Sequence, residues 1–288
     1  MSLDRKIDFA VILTVNKANP NGDPLNGNRP RQTYDGYGEI SDVAIKRKIR
    51  NRLLDMGEKI FVQSDDRNVD GFNSLRERAE AHPELKKLLS SKKDESERFA
   101  QIACEEWIDV RSFGQVFAFK DKGKGKGVSV GVRGPVSIHT ATSVDPIEIT
   151  SMQITKSVNS DSSEKKGSDT MGMKHRVDFG VYVFYGSINT QLAEKTQFSN
   201  RDAELIKEAL ATLFVNDASS ARPEGSMTVH RVYWWEHNSK WGQYSSAKVH
   251  RSLQIKKKVE NPKSIDDYEI AIDDSEIKGL KVEIIDGQ

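Results

Sequence analysis

The chain has 288 residues, enough to bury a sizeable hydrophobic core, and its 44 Lys and Arg nearly balance 43 Asp and Glu. The net charge of +1 means that any affinity for nucleic acid must come from where the charges lie. The single cysteine, Cys104, excludes an internal disulfide, no Cys or His cluster has zinc-ligand spacing, and no apolar run is long enough to span a membrane. We therefore expect a cytoplasmic protein with no metal, no other cofactor and no membrane partner.

A predicted β-strand at residues 7–15 leads into a loop that is rich in turn-forming residues. The strand places alternate apolar side chains on one face, as expected for a strand that enters a core: Ile7, Phe9, Val11, Leu13 and Val15. The loop that follows, NPNGDPLNGNRPR, combines Asn, Gly and Pro, which favour tight bends and expose backbone amides. Arg29 and Arg31 flank Pro30, whose restricted backbone lowers the entropy lost when a partner fixes the two arginines.

A cationic helix is predicted at about residues 41–56. Ser41 is its N-cap, and the spacing of three apolar residues predicts a buried stripe: Ile45, Ile49 and Leu53. The remaining surface carries Lys46, Arg47, Lys48, Arg50 and Arg52. Residues 29–52 hold seven Lys and Arg against three Asp and Glu, so the loop and helix together favour phosphate binding. A solvated amphipathic helix is the structural alternative.

The middle of the chain predicts helices followed by strands. Residues 61–108 are polar and helical in character, with scattered apolar anchors. Residues 128–140 and 175–188 are rich in β-branched and aromatic side chains, which indicates two strands. The hydrophilic stretch between them, residues 155–172, is typical of a long protruding hairpin.

A helix at residues 199–214 and a strand at residues 227–237 complete the predicted core. In chain order the core therefore reads β, α, β, β, α, β. This is the ferredoxin-like arrangement that RNA-recognition domains also use. The predicted fold class is α+β.

Charge changes sign abruptly near the C-terminus. Residues 240–258 carry six Lys and Arg and no acid, whereas residues 259–288 carry nine Asp and Glu against three Lys. Such asymmetry favours head-to-tail contact between copies, and a solubilising tail is the alternative. If the acidic segment docks on another copy, its removal is expected to leave a folded monomer.

Several stretches of this sequence resemble one known family. They are NPNGDP at 19–24 with NRPR after it, ISDVAIKRKIRN at 40–51, DVRSFGQVF at 109–117 and RGPV at 133–136. Together, and in this order, they resemble the backbone subunit of the type I CRISPR surveillance complexes known as Cascade, in the RAMP superfamily. The resemblance is greatest to the subtype I-C form.

The resemblance implies one RNA-recognition-like palm over residues 1–288, with a helical finger inserted at 61–108 and a β-hairpin thumb at 144–174. The acidic segment at 259–288 follows the palm. It also implies that several copies polymerise head to tail along a CRISPR RNA guide, together with other subunits of the complex. The guide would thereby be displayed for pairing with target DNA.

The same resemblance assigns contacts to the RNA backbone. They are Ser41, Lys46, Arg47 and Arg50 on the helix, with Asn21, Arg29 and Arg31 as neighbours, and Lys174, His175 and Arg176 at the thumb root. Arg133 is either a further contact or a structural arginine at a strand end. Met152 and Met171, with Met173, lie where an apolar wedge of the thumb would enter between bases, and core packing is their alternative role.

Other candidate sites have simpler structural explanations. His175 could serve as a catalytic base, but the six histidines form no pair that is local in sequence. Asp109 is read as a partner of Arg111 or of a backbone amide rather than as a metal ligand. KGKGKG at 122–127 is no P-loop and would add diffuse attraction to phosphate. The aromatic run Tyr233, Trp234 and Trp235 fits strand burial better than base stacking.

The sequence therefore predicts a non-catalytic protein that binds CRISPR RNA and assembles with copies of itself. The first alternative is an endoribonuclease of the same superfamily that processes CRISPR transcripts. The second is a scaffold that polymerises without RNA.

Overall fold

The computed structural model describes residues 2–89, 91, 95–119, 128–155 and 171–288. The helices are α1 (Asp42–Asp55), α2 (Leu75–Ala81), α3 (Pro83–Leu89), α4 (Ser96–Glu106), α5 (Ile108–Phe113), α6 (Thr190–Thr196), α7 (Asn200–Ala211) and α8 (Ser246–Arg251). The longer strands are β1 (Ile7–Ala18), β10 (Met171–Ile188) and β11 (Met227–Glu236). The shorter strands are β2 (Gly22–Asp23), β3 (Arg29–Pro30), β4 (Tyr37–Ile40), β5 (Gly114–Phe119), β6 (Val128–Arg133), β7 (Val136–Ile138), β8 (Ala141–Pro146), β9 (Ile149–Thr155), β12 (Leu253–Lys257), β13 (Tyr268–Ile272) and β14 (Val282–Asp286).

A central antiparallel sheet runs in the order β14, β11, β1, β10, β8, β4, and β7 and β9 also pair with β10. The predicted strand at 128–140 is divided into β6 and β7 by Gly134 and Pro135. The central elements follow one another as β1, α1, β7 with β8, β10, α7 and β11. The predicted α+β class is confirmed.

The predicted apolar stripe of α1 packs on one face of the sheet. Ile45, Ile49 and Leu53 are at most 1% exposed and share a cluster with Leu13 and the other apolar residues of this face of β1. The helix begins where the sequence predicts, because the Ser41 hydroxyl accepts a hydrogen bond from the Ala44 amide at 3.3 Å. Burial on this face follows the helical and strand periods read from the sequence.

The opposite face of β1 is buried as well, which the alternating pattern did not predict. Ala10 and Ile12 are fully buried against Tyr233 and Trp235 of β11. This second layer is completed by residues from the C-terminal part of the chain: Val249, Leu253, Tyr268, Ile277 and Leu280. Burial on both sides explains why β1 is apolar at nearly every position. The predicted burial of the aromatic run in β11 is confirmed.

The acidic C-terminal segment is part of this core. β14 pairs with β11 in antiparallel register, Val232 lying opposite Ile285, and Ile277 is fully buried. The expectation of a tail that can be removed to leave a folded monomer is therefore wrong. The net charge of the segment reflects its exposed side chains. Its few apolar residues are the ones that pack against the rest of the protein and so determine where the segment lies.

Helices α2 to α5 and the β5–β6 hairpin enclose a separate hydrophobic cluster. Its aromatic centre is formed by Phe61, Phe99, Trp107 and Phe117, whose rings pack 4.7–5.0 Å apart in tilted or edge-on pairs. The cluster extends beyond the predicted 61–108 lobe because Phe117 of β5 and Val130 of β6 belong to it. The division into palm, finger and thumb remains a prediction.

The predicted thumb corresponds to a hairpin of β9 and the first half of β10, paired from Ile149 opposite Val177 to Thr155 opposite Met171. Its predicted hydrophilic tip, residues 156–170, lies outside the described residues, as does the KGKGKG run. In the described part of the chain, no helix has the length and apolar character required to cross a membrane.

One cation of α1 faces inward, contrary to the prediction that all five occupy its surface. Lys48 is 6% exposed; its ammonium group pairs with Asp217 and lies 5.4 Å from the centre of the Phe214 ring. Burial lowers the pKa of Lys48 from 10.5 to about 8, although the Asp217 carboxylate opposes this shift.

Replacing the buried Ile277 by Ala should lower the free energy of unfolding by about 2–4 kcal/mol, because a fully enclosed side chain leaves a cavity. The matched control is Ile284→Ala in β14, where the side chain is 50% exposed and the expected loss is below about 1 kcal/mol. Urea unfolding of both variants measures the difference. Equal losses would mean that the C-terminal layer does not contribute to the core.

Lys48→Met should change how stability depends on pH. Between pH 8 and 10.5 the unfolded chain still holds the ammonium proton that the folded chain has released, so rising pH favours the folded state. Across this window the free energy of unfolding of the unmodified protein should therefore rise by about 3 kcal/mol relative to that of the Met variant. Between about pH 6 and pH 8, where neither Lys48 nor the Asp217 carboxyl titrates, the difference between the two should be nearly constant. Denaturant unfolding at a series of pH values tests this, and parallel stability curves throughout would contradict it.

Candidate nucleic-acid interface

The loop between β1 and β4 is held in a defined shape by its asparagines. The Asn19 side chain donates to the Asn28 carbonyl at 2.7 Å, and the Arg31 amide donates to the Asn21 carbonyl at 3.0 Å. Gly27 and Asn28 both have left-handed backbones, with φ of 57° and 59°, which these two residue types tolerate. The turn-rich sequence thus forms an ordered loop.

Asn21 joins this loop to the start of α1. Its side-chain oxygen accepts from the Ser41 amide at 2.9 Å, while the Ser41 hydroxyl caps the helix. One turn further, Lys46 forms an ion pair with Asp42 at 2.9 Å and keeps 23% of its side chain exposed. Asn21 is therefore bonded to the N-cap of α1, and Lys46 lies on the first turns of the same helix, so three predicted contacts to RNA meet at the start of α1.

Arg47 and Arg50 point from α1 towards the helical lobe. Arg47 donates to the Val62 carbonyl at 2.9 Å, and burial together with the nearby Arg50 charge lowers the pKa of Arg47. Arg50 donates to Asp109 at 2.9 Å, lies 5.0 Å from the Phe113 ring centre and is only 13% exposed in its side chain. These two predicted contacts are thus already engaged inside the protein.

Asp109 accepts three hydrogen bonds at this junction. Besides Arg50, the amides of Phe61 and Val62 donate to its carboxylate at 2.7 and 3.1 Å. The reading of Asp109 as a partner of backbone amides is confirmed. The alternative partner, Arg111, instead pairs with Asp202 at 2.8 Å.

The loop meets the β9–β10 hairpin through one serine. Arg29 donates to the Ser151 hydroxyl at 2.8 Å, and the His175 ring nitrogen Nδ1 lies 2.8 Å from the same oxygen. Arg29 and His175 are separated by more than 140 positions in the sequence but share this partner. Ser151 was not predicted, because an isolated serine in a strand carries no sequence signal.

The hairpin divides the remaining predicted residues between its two faces. In the β9–β10 register, Met171 faces Thr155 and Lys174 faces Met152. Because side chains alternate along a strand, Met171 lies on the same face as His175, whereas Met152 and Lys174 lie on the other. The two methionines of the predicted wedge are therefore on opposite faces. Met171 is 60% exposed.

Arg176 lies on the same hairpin face as Lys174 and forms an ion pair with Asp178 at 3.3 Å. Arg31 approaches Asp23 at 3.6 Å, and its Nε atom is buried without a hydrogen-bond partner among the described residues. Both guanidinium groups therefore keep donors that their present partners do not use.

Arg133 lies apart from the loop and hairpin, at the exposed end of β6 in the helical lobe. Its position is set by close backbone packing between two of the motifs noted above. A Cβ atom on Gly134 would lie 2.3 Å from the Ser112 carbonyl oxygen, and one on Gly114 would lie 2.3 Å from the Val132 oxygen. Only glycine allows DVRSFG and RGPV to approach this closely.

Three histidines that are distant in sequence lie near one another, away from this interface. The rings of His139 and His250 lie 5.7 Å apart, with Tyr185 stacked on His250, and burial lowers the pKa of His250. His237 is buried against Asp8 at 2.8 Å. In the ranges that the structure describes, no group of three or more His, Cys, Asp or Glu side chains is arranged to hold a metal ion.

Comparison with known proteins identifies related chains. A curated relative, CRISPR-associated protein Cas7 of Haloferax volcanii, is 25% identical over 217 residues, which cover 71% of this chain. The match spans 62% of the length of that relative.

Comparison with solved structures gives two matches. A chain of a "CRISPR RNA-guided surveillance complex, pre-nicking" matches with a TM-score of 0.50 and 15% identity, over 80% of this chain and 78% of the other. A chain of a "CRISPR RNA-guided surveillance complex" matches with a TM-score of 0.42 and 16% identity, over 80% and 68%. At this identity the first likeness concerns the fold alone.

The family of CRISPR-associated protein Cas7 matches residues 5–273, which is nearly the whole chain. This range includes the loop, α1, the helical lobe and both strands of the β9–β10 hairpin. The chain belongs to the CRISPR-associated protein Cas7 family.

Proposed function

We propose that this chain is a non-catalytic subunit that binds the backbone of a CRISPR RNA guide in a type I surveillance complex. Several copies would coat the guide and display it for pairing with target DNA, beside other subunits of the complex. Membership of the Cas7 family supports this proposal, and the solved relative of similar fold is described as part of an RNA-guided complex. A cytoplasmic location and the subtype I-C form belong to the same proposal.

The observation that carries the proposal is the junction of Arg29, Ser151 and His175. Arg29 of the loop and His175 of the hairpin each lie 2.8 Å from the same Ser151 hydroxyl. A chain of phosphates lying across this junction would meet guanidinium, imidazole and hydroxyl groups in a fixed arrangement. Such groups hold a sugar–phosphate backbone without reading its bases, as a subunit that accepts any guide requires.

The other predicted contacts extend this surface in two directions. Ser41 and Lys46 continue it along the start of α1, and Lys174 and Arg176 continue it over the far face of the hairpin. For Arg47 and Arg50, contact with RNA remains a prediction. Their internal bonds support a second role, in which they hold α1 in position against the helical lobe.

Head-to-tail assembly along the guide remains part of the proposal. The acidic segment is not available for the contact between copies, because it would first have to leave the core of its own chain. The apolar residues of the hairpin are better candidates, because Ile154, Met171 and Met173 are 49–60% exposed. In the proposed assembly the hairpin serves as the thumb. Met152 and Met171 could then act as a wedge only through opposite faces of that hairpin.

The position of His175 favours binding over cleavage. A ribonuclease requires a base and an acid on either side of the scissile phosphate. His175 instead shares the Ser151 hydroxyl with Arg29, an arrangement suited to holding a phosphate. The rings of His139 and His250 also lie close together. The Nε2 atom of His250, however, is hydrogen-bonded to the Gly186 carbonyl at 3.0 Å and is therefore already engaged.

Arg29→Ala should weaken binding of single-stranded RNA about tenfold, because it removes a charged contact to phosphate. The loss should be similar for unrelated sequences, and the slope of log affinity against log salt should become shallower by about 0.7. The matched control is Arg98→Ala, which removes an exposed arginine on α4. Fluorescence anisotropy at several salt concentrations measures both quantities. Equal affinities and slopes for the two variants would contradict the interface, and a loss limited to certain sequences would indicate base readout.

Incubation of the unmodified protein with a repeat-containing transcript should leave the RNA at full length, with or without a chelator, because the interface holds phosphates and does not cleave them. Gel analysis of the RNA after incubation makes the test, with His175→Ala as the comparison. RNA that shortens with the unmodified protein but not with the variant would establish the endoribonuclease alternative. Protein that purifies free of RNA, with no absorbance peak at 260 nm and no RNA affinity, would favour the scaffold.

A further inference from the structure

Tyr34 projects from a turn between β3 and β4 and is fully exposed to solvent. The structure describes all seven tyrosines of the chain, and each of the other six is buried or half-buried. A ring in this position forgoes the favourable free energy of burial in its own chain. Both flat faces of the ring are therefore available to a ligand.

The turn that carries Tyr34 is closed by hydrogen bonds and holds the ring in a defined place. The Gly36 amide donates to the Thr33 carbonyl at 3.1 Å, and the Thr33 amide donates to the Tyr37 carbonyl at 2.8 Å. Gly36 has a left-handed backbone, with φ of 83°, which glycine adopts without strain. A tyrosine has few rotatable bonds, so little entropy is lost when a rigid turn presents it to a ligand.

The turn is also anchored to the segment that leads into β9. The Ile147 amide donates to the Gly36 carbonyl at 2.9 Å, and the Gln32 side chain donates to the Ile147 carbonyl at 3.2 Å. Ser151 of the proposed phosphate-binding junction follows Ile147 by four residues, so their Cα atoms are at most about 14 Å apart. The turn and the junction thus rest on one short segment of the chain.

The same turn lies close to the two arginines of the loop. Arg31 precedes Tyr34 by three residues and Arg29 precedes it by five, so their Cα atoms lie at most about 11 and 18 Å from that of Tyr34. The Glu39 amide donates to the Arg31 carbonyl at 2.9 Å, which fixes the base of the turn beside this arginine. A strand of RNA whose phosphates contact these arginines therefore has bases within reach of the ring.

The residues around Tyr34 favour a base over a phosphate as its ligand. The turn sequence, QTYDG at 32–36, contains no cation, and the exposed Asp35 carboxylate next to the ring repels phosphate. Stacking requires no charge, because every nucleobase has a π face. It also tolerates any base, which suits a protein that binds unrelated guides.

The same surroundings disfavour a second protein as the partner of this ring. Aromatic anchors of protein interfaces usually lie among other contacts that exclude water from them. The neighbours of the ring in this turn carry polar side chains or none: Gln32, Thr33, Asp35 and Gly36. A stacked base needs only the face of the ring.

We propose that Tyr34 is a stacking platform for one base of the RNA whose phosphates lie across the junction of Arg29, Ser151 and His175. The inference rests on the proposed function and adds to it a contact that does not involve phosphate. Because any base can stack on an aromatic ring, this contact contributes affinity without sequence preference.

Tyr34→Ala should weaken binding of a short single-stranded RNA about tenfold, because the stacked base loses its platform. The slope of log affinity against log salt should be unchanged, since no counterion is released at this contact. Tyr34→Phe, which keeps the ring, should bind like the unmodified protein, whereas Tyr34→Leu should recover little of the loss. The matched control is Trp241→Ala, which removes an 80% exposed ring from the loop after β11 and should cause no loss. Fluorescence anisotropy at several salt concentrations measures affinity and slope.

An RNA without bases separates stacking from contact with the backbone. A strand of the same length, built from abasic nucleotides, keeps the phosphates and removes every π face. The unmodified protein and Tyr34→Ala should bind this strand equally, whereas Arg29→Ala should bind it more weakly than either. Thermal unfolding checks that each variant is folded, which is the expected result for an exposed side chain.

The outcomes distinguish this inference from the proposed function. If the unmodified protein binds neither strand, or if Arg29→Ala binds as tightly as the unmodified protein, the proposed function fails and the platform fails with it. If Arg29→Ala weakens binding and Tyr34→Ala does not, the platform alone is wrong. An equal loss for Tyr34→Ala on RNA with and without bases would overturn stacking in favour of a backbone contact. A loss seen only on RNA long enough for several copies would overturn it in favour of a contact between copies.

Discussion

The structure depends on the burial of β1 on both of its faces. Leu13 packs beneath the helices and Ile12 packs beneath the C-terminal layer, and each is at most 1% exposed. A strand buried in this way needs a cover on each side, which is why the acidic C-terminal segment belongs to the fold. The same strand ends at the loop that carries Arg29. Its burial therefore fixes the position of this loop relative to the sheet.

Asp109 links the cationic helix to the helical lobe. A carboxylate with three donors is stable in a nearly water-free position only while all three remain, because an unpaired buried charge is costly. Arg50 is thus both a cation of the helix and a structural tie. A cation on such a helix need not contact RNA: Lys46 pairs with Asp42 of its own helix and is 23% exposed, whereas Arg50 is 13% exposed and ties the helix to Asp109.

The sequence was sufficient to predict those features of the structure that depend on neighbouring residues. Helical spacing located the buried stripe of α1, and the capping preference located its start at Ser41. The sequence was insufficient where the partner of a residue is distant. Lys48, for example, pairs with the carboxylate of Asp217, which is 169 positions away. For the same reason the Arg29–Ser151–His175 junction could not be assembled from the sequence, although two of its members were predicted. The C-terminal layer was missed because its few apolar residues are scattered among acids, so that composition concealed its periodicity.

A subunit that coats a guide must bind any sequence, so its contacts to phosphate cannot specify spacing. Regular spacing must instead come from contact between proteins, and a heterologous contact repeats without closing when its rotation does not form a ring. Within one copy, the loop that carries Arg29 follows directly on the rigidly packed β1, so the sheet fixes where the proposed phosphate-binding surface lies.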